Sequence, residues 1–193
     1  MCRTDANHSM IRIDGADTTE TMILPGRVIW ITGLSGAGKT TLARALQARL
    51  RAQGRNPILL DGDGIRELMP GSSGHDRASR LALARFNGRL CRMLADQGQD
   101  VLCATISLFH EVQAWNRAHI AQYVEVFLDV CLDELRRRDP LGLYARHDRG
   151  EVRDVVGLDL PAEFPLRPDL RLVPAPVSDM AAAVAALLEA SAP

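Results

Sequence analysis

The chain is poor in features that mark several protein classes. Four cysteines, Cys2, Cys91, Cys103 and Cys131, are spread over 193 residues. They have neither metal-ligand spacing nor a disulfide-dense pattern, which argues against a stapled scaffold or a zinc module. The last three read as small buried hydrophobes in a reducing compartment. No stretch approaches the ~18 consecutive apolar residues of a membrane-spanning helix. Net charge is nearly absent too: 23 Lys and Arg against 24 Asp and Glu leave a formal −1, whereas coating a nucleic-acid polymer takes a net basic field. Residues 1–22 carry Arg3, Asp5, Asp14, Asp17 and Glu20 and lack an apolar h-region, so they do not read as a secretory signal. The expectation is a polar tail over 1–26 on a cytoplasmic protein that engages neither a membrane nor a nucleic-acid polymer.

What is present suits one compact domain over 27–193, with 47% hydrophobic and 24% charged residues. Short apolar runs alternate with amphipathic stretches. Residues 27–32, between Pro25-Gly26 and Gly33, read as a strand buried on both faces. Leu42, Leu46 and Leu50 recur at four-residue spacing and mark a helix from 39 to about 53, stopped at Gly54. A second apolar run over 57–60 ends in the polar turn Asp61-Gly62-Asp63-Gly64. A long helix is expected over 77–96, strands over 100–106, 124–130 and 170–173, and helices over 111–123 and 132–138. Residues 138–167, rich in proline, glycine and charge, read as a mobile excursion with one short helix. Ser178 is placed as the cap of an Ala-rich helix over 180–190 that either packs on the domain or contacts a second copy in a homodimer. Strands alternating with helices predict an α/β fold with a mostly parallel five-stranded sheet and helices on both faces.

Gly33-Leu34-Ser35-Gly36-Ala37-Gly38-Lys39-Thr40 matches G-x-x-x-x-G-K-[ST] at every fixed position. Glycines let the backbone wrap an anion with successive N–H groups inward, and the following helix adds its N-terminal field. Lys39 reaches the β/γ-phosphates and Thr40 ligates Mg²⁺. At ordinary glycine usage, this pattern arises by chance in well under about one such chain in a hundred. A strand before it and a helix after it supply the required context. The pattern alone does not separate kinases from switch GTPases and motor ATPases, but no Asn-Lys-x-Asp guanine-reading motif is present. Asp61 and Asp63 follow the second strand, whose carboxyl end faces the ligand crevice in a doubly wound sheet. There a carboxylate can accept a hydroxyl proton or hold Mg²⁺, and Arg66 can fork onto an anionic acceptor.

These motifs, with Ala104-Thr105-Ile106-Ser107, Arg138-Asp139-Pro140-Leu141-Gly142-Leu143-Tyr144, Gly150-Glu151-Val152, Gly157-Leu158-Asp159-Leu160-Pro161 and Pro168-Asp169-Leu170, resemble the adenylylsulfate (APS) kinases over about 27–173. That family transfers the ATP γ-phosphoryl group to the 3′-hydroxyl of APS. The resemblance implies a P-loop kinase fold with a mobile lid over about 138–157 and Mg²⁺ working with ATP. It makes Asp63, Lys39 and Asp61 catalytic. It gives ATP to Gly33, Leu34, Ser35, Gly36, Ala37, Gly38, Lys39, Thr40, Thr41 and Arg138. The metal falls to Thr40 and Asp63, and a small-molecule nucleotide acceptor to Arg66, Arg80, Arg85, Ile106 and Ser107.

The sequence departs from the family pattern mainly on the acceptor side. Gly64 stands where the family has Asn, and Leu141 stands where it has a lid Lys. The two rings that sandwich the APS adenine correspond to the ringless Gly71-Ser72-Ser73 and to Val155. Phe86 and Phe109 are candidate replacements, and Asn87 is a candidate partner for a smaller base. The run from Cys103 to Glu111 with Trp115-Asn116-Arg117 is similar to a branch associated with capsular polysaccharide genes, one kind of which phosphorylates cytidine diphosphoramidate. A catalytically impaired nucleotide-binding regulator is the alternative of another class. His110 reads as a helix-start residue and Trp115 as a packing residue.

Overall fold

In a computed structural model of the chain, residues 24–69, 74–173 and 180–190 are described. The tail through residue 23, the stretch 71–73 and the Ser178 cap lie outside them. Five strands, β1 (Val28–Thr32), β2 (Ile58–Asp61), β3 (Val101–Ala104), β4 (Tyr123–Leu128) and β5 (Leu170–Leu172), form one parallel sheet in the order β2-β3-β1-β4-β5. Helices α1 (Lys39–Ala52), α2 (Gly62–Leu68), α3 (Arg77–Ala95), α4 (His110–His119), α5 (Leu132–Arg138), α6 (Leu143–Asp148) and α7 (Met180–Ala190) complete it.

The two-residue period of β1 sorts its side chains between two cores. Ile29 and Ile31 pack with Leu42, Leu46 and Leu50 of α1 and with Val184 and Leu187 of α7. Val28 and Trp30 face the opposite layer, with Ala84 and Cys91 of α3 and Val112 of α4. All five residues of β1 are buried, as a central parallel strand covered on both sides must be. Leu187 is completely buried, so α7 packs on its own domain.

Several boundaries move for identifiable reasons. The third strand stops at Ala104 because the chain turns at Ser107, which has φ 29°. The 111–123 helix ends at His119, and Tyr123 opens β4. The expected polar turn at 61–64 is instead the start of α2, capped by the Asp61 carboxylate accepting the Asp63 N–H. Local glycines suggested a turn, but the side-chain cap and the following Ile65-Arg66-Glu67-Leu68 favour a helix. Cys91 and Cys103 are buried as expected, whereas Cys131 is exposed just before α5.

Candidate active site

Parallel pairing brings the strand ends to one crevice. Ile31 and Asp61 both lie opposite Ala104 in the register, so the loops after β1, β2 and β3 open side by side. They line a cavity of about 900 Å³.

One half is the loop between β1 and α1. Gly36 and Gly38 have φ values of 75° and 96°, a region that side chains disfavour. Ser35, Gly36, Gly38, Lys39, Thr40 and Thr41 line the cavity, while Leu34 and Ala37 are buried beneath it. Gly33 is the hinge, where a methyl group would stand 2.8 Å from the Leu128 carbonyl oxygen. The Lys39 ammonium donates to the Leu34 carbonyl over 2.8 Å. Burial pushes its pKa down to about 8, against the pull of Asp63 and then Asp61, which favour the cation. The Thr40 hydroxyl donates to Asp61 Oδ2 over 2.9 Å. Gly62 stands at a close approach, since a Cβ there would lie 3.0 Å from Thr105 Oγ1 and 3.3 Å from the Ala104 carbonyl oxygen. Asp63, exposed in the first turn of α2, lines the cavity beside Asp61.

The other half is made by side chains. Arg66 donates to the Gly74 carbonyl over 2.7 Å. Arg80 donates to the carbonyls of His75 (2.6 Å) and Asp154 (2.8 Å). Ile106, Ser107 and Val155 share this wall, and the Ser107 and Thr105 hydroxyls lie 2.8 Å apart. Two non-glycine residues here have positive φ, Ser107 at 29° and Asp154 at 62°, which concentrates backbone strain at the cavity. Asp159 maintains the second, accepting from the N–H groups of Asp154 (2.7 Å) and Val155 (2.6 Å). Although burial works against its ionisation, these bonds hold its carboxyl below the usual range.

Two expected arginines do not come to the cavity. Arg85 binds Glu111 over 2.7 Å and lines a separate groove of about 300 Å³ with Arg89 and Trp115. Five residues carry it about 140° round α3 from Arg80. Arg138 is held by Glu134, one turn earlier in α5, over 2.6 Å. Among the candidate rings, Phe109 lines the cavity with the Arg77 guanidinium over its face, 5.3 Å from the ring centre. Phe86 is exposed outside it. Asn87 is fully buried away from the cavity, and its amide finds no partner among the described residues. His110 opens α4 and accepts that role with its N–H bound to Glu163 over 2.7 Å. Trp115 stacks on His119 at 4.5 Å.

Sequence reasoning missed His75. It lines the cavity near Arg66 and Arg80. Burial and then the charges of Arg80 and Arg66 lower its pKa, favouring the neutral ring. The available signal was its position just before Asp76, whose carboxylate caps α3. The 138–157 segment lines the cavity with Pro140, Leu141, Leu143, Arg146, Val152 and Arg153. It is tied down more than its composition suggests: Asp139 accepts from the N–H groups of Tyr144 and Ala145 at 3.1 and 3.0 Å.

A parallel sheet with a glycine-wrapped loop before α1, and a carboxylate pair and two guanidiniums across one cavity, defines a P-loop kinase. Comparison with known proteins narrows the class. The family model for adenylylsulphate kinase matches residues 25–173. A cytidine diphosphoramidate kinase of Campylobacter jejuni is 38% identical over 138 residues, covering 72% of this chain and 81% of that protein. An adenylyl-sulfate kinase of Aeromonas hydrophila is 42% identical over 148 residues, covering 76% and 75%. The structure of the APS kinase of Mycobacterium tuberculosis in complex with AMPPNP and APS superposes with a TM-score of 0.79 at 34% identity, covering 86% of this chain and 97% of that one. The chain belongs to the adenylylsulphate kinase family and is an ATP-dependent kinase. Among the described residues no helix is long and apolar enough to cross a membrane.

Proposed function

We propose that this kinase moves the ATP γ-phosphoryl group to the 3′-hydroxyl of APS, giving PAPS and ADP, within a single cytoplasmic domain. The supporting observation is that the phosphate loop, Asp63, Arg66 and Arg80 line one cavity. ATP phosphates occupy the loop, where the inward N–H groups and the Lys39 ammonium balance their charge. Asp63 accepts or orients the acceptor hydroxyl proton, and Arg66 and Arg80 clamp the anionic tail. Arginine has five donors, so the two carbonyl bonds of Arg80 leave donors for an anion. Segment 138–157 serves as a lid that excludes water.

The residues fit a magnesium ion. The Thr40 hydroxyl already pairs with Asp61 over 2.9 Å, and Asp63 stands beside it. Magnesium prefers such oxygen donors, with waters and substrate phosphates completing its shell. Thr40 and Asp63 would hold it, with Asp61 orienting Thr40. Bound there, the ion would neutralise charge on the nucleotide phosphates.

Cytidine diphosphoramidate is the second reading, favoured by the acceptor wall: Val155 is aliphatic, the ring of His75 is small, and the Phe109 ring is buried with the Arg77 guanidinium over its face, so an adenine finds little stacking surface. Each base–aromatic stack contributes about 1–3 kcal/mol. A coupled ADP-release assay with Mg²⁺–ATP, offering APS and cytidine diphosphoramidate separately and weighing the products, decides between them. At least tenfold higher kcat/KM for APS is the expected result. The reverse preference assigns the site to the cytidine nucleotide.

A further inference from the structure

The phosphate loop is gripped by both ends of segment 138–157. At one end Tyr144, 2% exposed, donates its hydroxyl proton to the Ser35 carbonyl oxygen over 2.8 Å. A methyl group on Gly36 would meet Pro140 Cδ at 3.7 Å and Leu135 Cδ2 at 3.8 Å, so the loop rests on the root of the segment. At the other end Gly157, with φ 90°, is pressed against Leu34, since a Cβ would stand 2.8 Å from Leu34 Cδ2. Burial, then the charge of Asp139, raises the Tyr144 phenol to about 12, so it stays a donor at working pH.

The Ser35 carbonyl and the Gly36 N–H belong to the same peptide unit, and a planar trans peptide points them in opposite directions. Holding the carbonyl outward therefore holds that N–H inward. A peptide next to glycine flips readily because glycine accepts either sign of φ, so this plane needs an external anchor. We propose that Tyr144 is a positioning residue for ATP: its hydroxyl fixes the Ser35–Gly36 peptide so that the Gly36 N–H faces the bound phosphate. The inference rests on the reading of residues 33–40 as the ATP phosphate site.

The test compares Mg²⁺–ATP affinity and steady-state kinetics in the wild type, Lys39→Ala and Tyr144→Phe, with thermal melting of each. Tyr144→Phe keeps the buried ring and removes one hydrogen bond. ATP binding should weaken about three- to tenfold, with the acceptor KM moving less than about twofold. Rescue is absent in Tyr144→Leu, which should weaken ATP at least as much. Unaltered ATP affinity in Tyr144→Phe, when Lys39→Ala has lost it, overturns the positioning role and leaves the site reading standing. Retained ATP affinity in Lys39→Ala overturns the site reading itself. ATP weakening no larger than the unfolded fraction explains, or matched by an equal rise in acceptor KM, reduces Tyr144 to a structural residue and overturns the proposal.

Discussion

The two halves of the cavity are built differently. The loop over 33–40 presents main-chain groups, and its shape follows from where glycine stands: Gly36 and Gly38 at positive φ, and Gly33 pressed against the Leu128 carbonyl. The acceptor half presents side chains, and its arginines bind main-chain carbonyls of neighbouring loops, Gly74, His75 and Asp154. A backbone site can be altered only by disturbing the fold. A side-chain site can be retuned residue by residue while the sheet beneath stays the same. This difference accounts for an intact phosphate loop beside an acceptor wall with His75 and Val155.

The largest expected effect breaks the phosphate half alone. Lys39→Ala should lower turnover by about 10²–10³ or more, the range for losing one group that stabilises charge, with its melting temperature within a few degrees of the wild type. A variant keeping over a tenth of the wild-type rate contradicts the loop's role. Next, Asp63→Asn should lower kcat by about 10² while ATP binding changes little; unaltered kcat removes Asp63 from the chemistry.

The third effect is pH dependence. Burial lowers Lys39 to about 8, so the cation that meets phosphate is present below that pH and disappears as pH rises through it. The kcat/KM for ATP, which reports the free enzyme, should fall roughly tenfold per unit above pH 8. At saturating ATP the fall should move to higher pH, because the bound phosphates favour the ammonium. A kcat/KM profile flat to about pH 9.5 in an enzyme that stays folded rejects this.

The smallest effect separates two glycines near the boundary of the halves. Gly62→Ala should cost about 1–3 kcal/mol of stability by crowding Thr105. Gly64→Asn should change it by no more than about 0.5 kcal/mol, since a Cβ there meets only Asp61 Cβ, at 4.0 Å. Urea melts of both variants measure the contrast, and equal losses would contradict the difference in space.

The sequence exposed the two halves unequally for the same physical reason. Apolar runs and glycine positions are local signals, so the sheet, the helices and the phosphate loop were legible from spacing. The helical start at Asp61 depended on a side-chain cap inside what looked like a polar turn. Arg85 and Arg138 share a composition with Arg66 and Arg80, yet Glu111 and Glu134 hold them away from the cavity. That sorting is set by helix rotation and by which acidic partner each arginine meets, near in sequence for Arg138 and distant for Arg85. His75 lies two residues beyond the stretch that corresponds to the family's ring, and only the fold brings it to the cavity.

The strand order also constrains how the chain is made. β1 emerges early but pairs only with β3, from Val101 onward, and β4, which ends at Leu128. Such distant pairing slows folding, because loops must close before the contacts reward them. During synthesis, Val28-Ile29-Trp30-Ile31 therefore leaves the ribosome as an apolar strand with two open edges, a form prone to aggregation. A nascent chain ending before β4 carries the whole phosphate motif without the sheet that shapes it, and is a client for chaperones rather than a partial kinase.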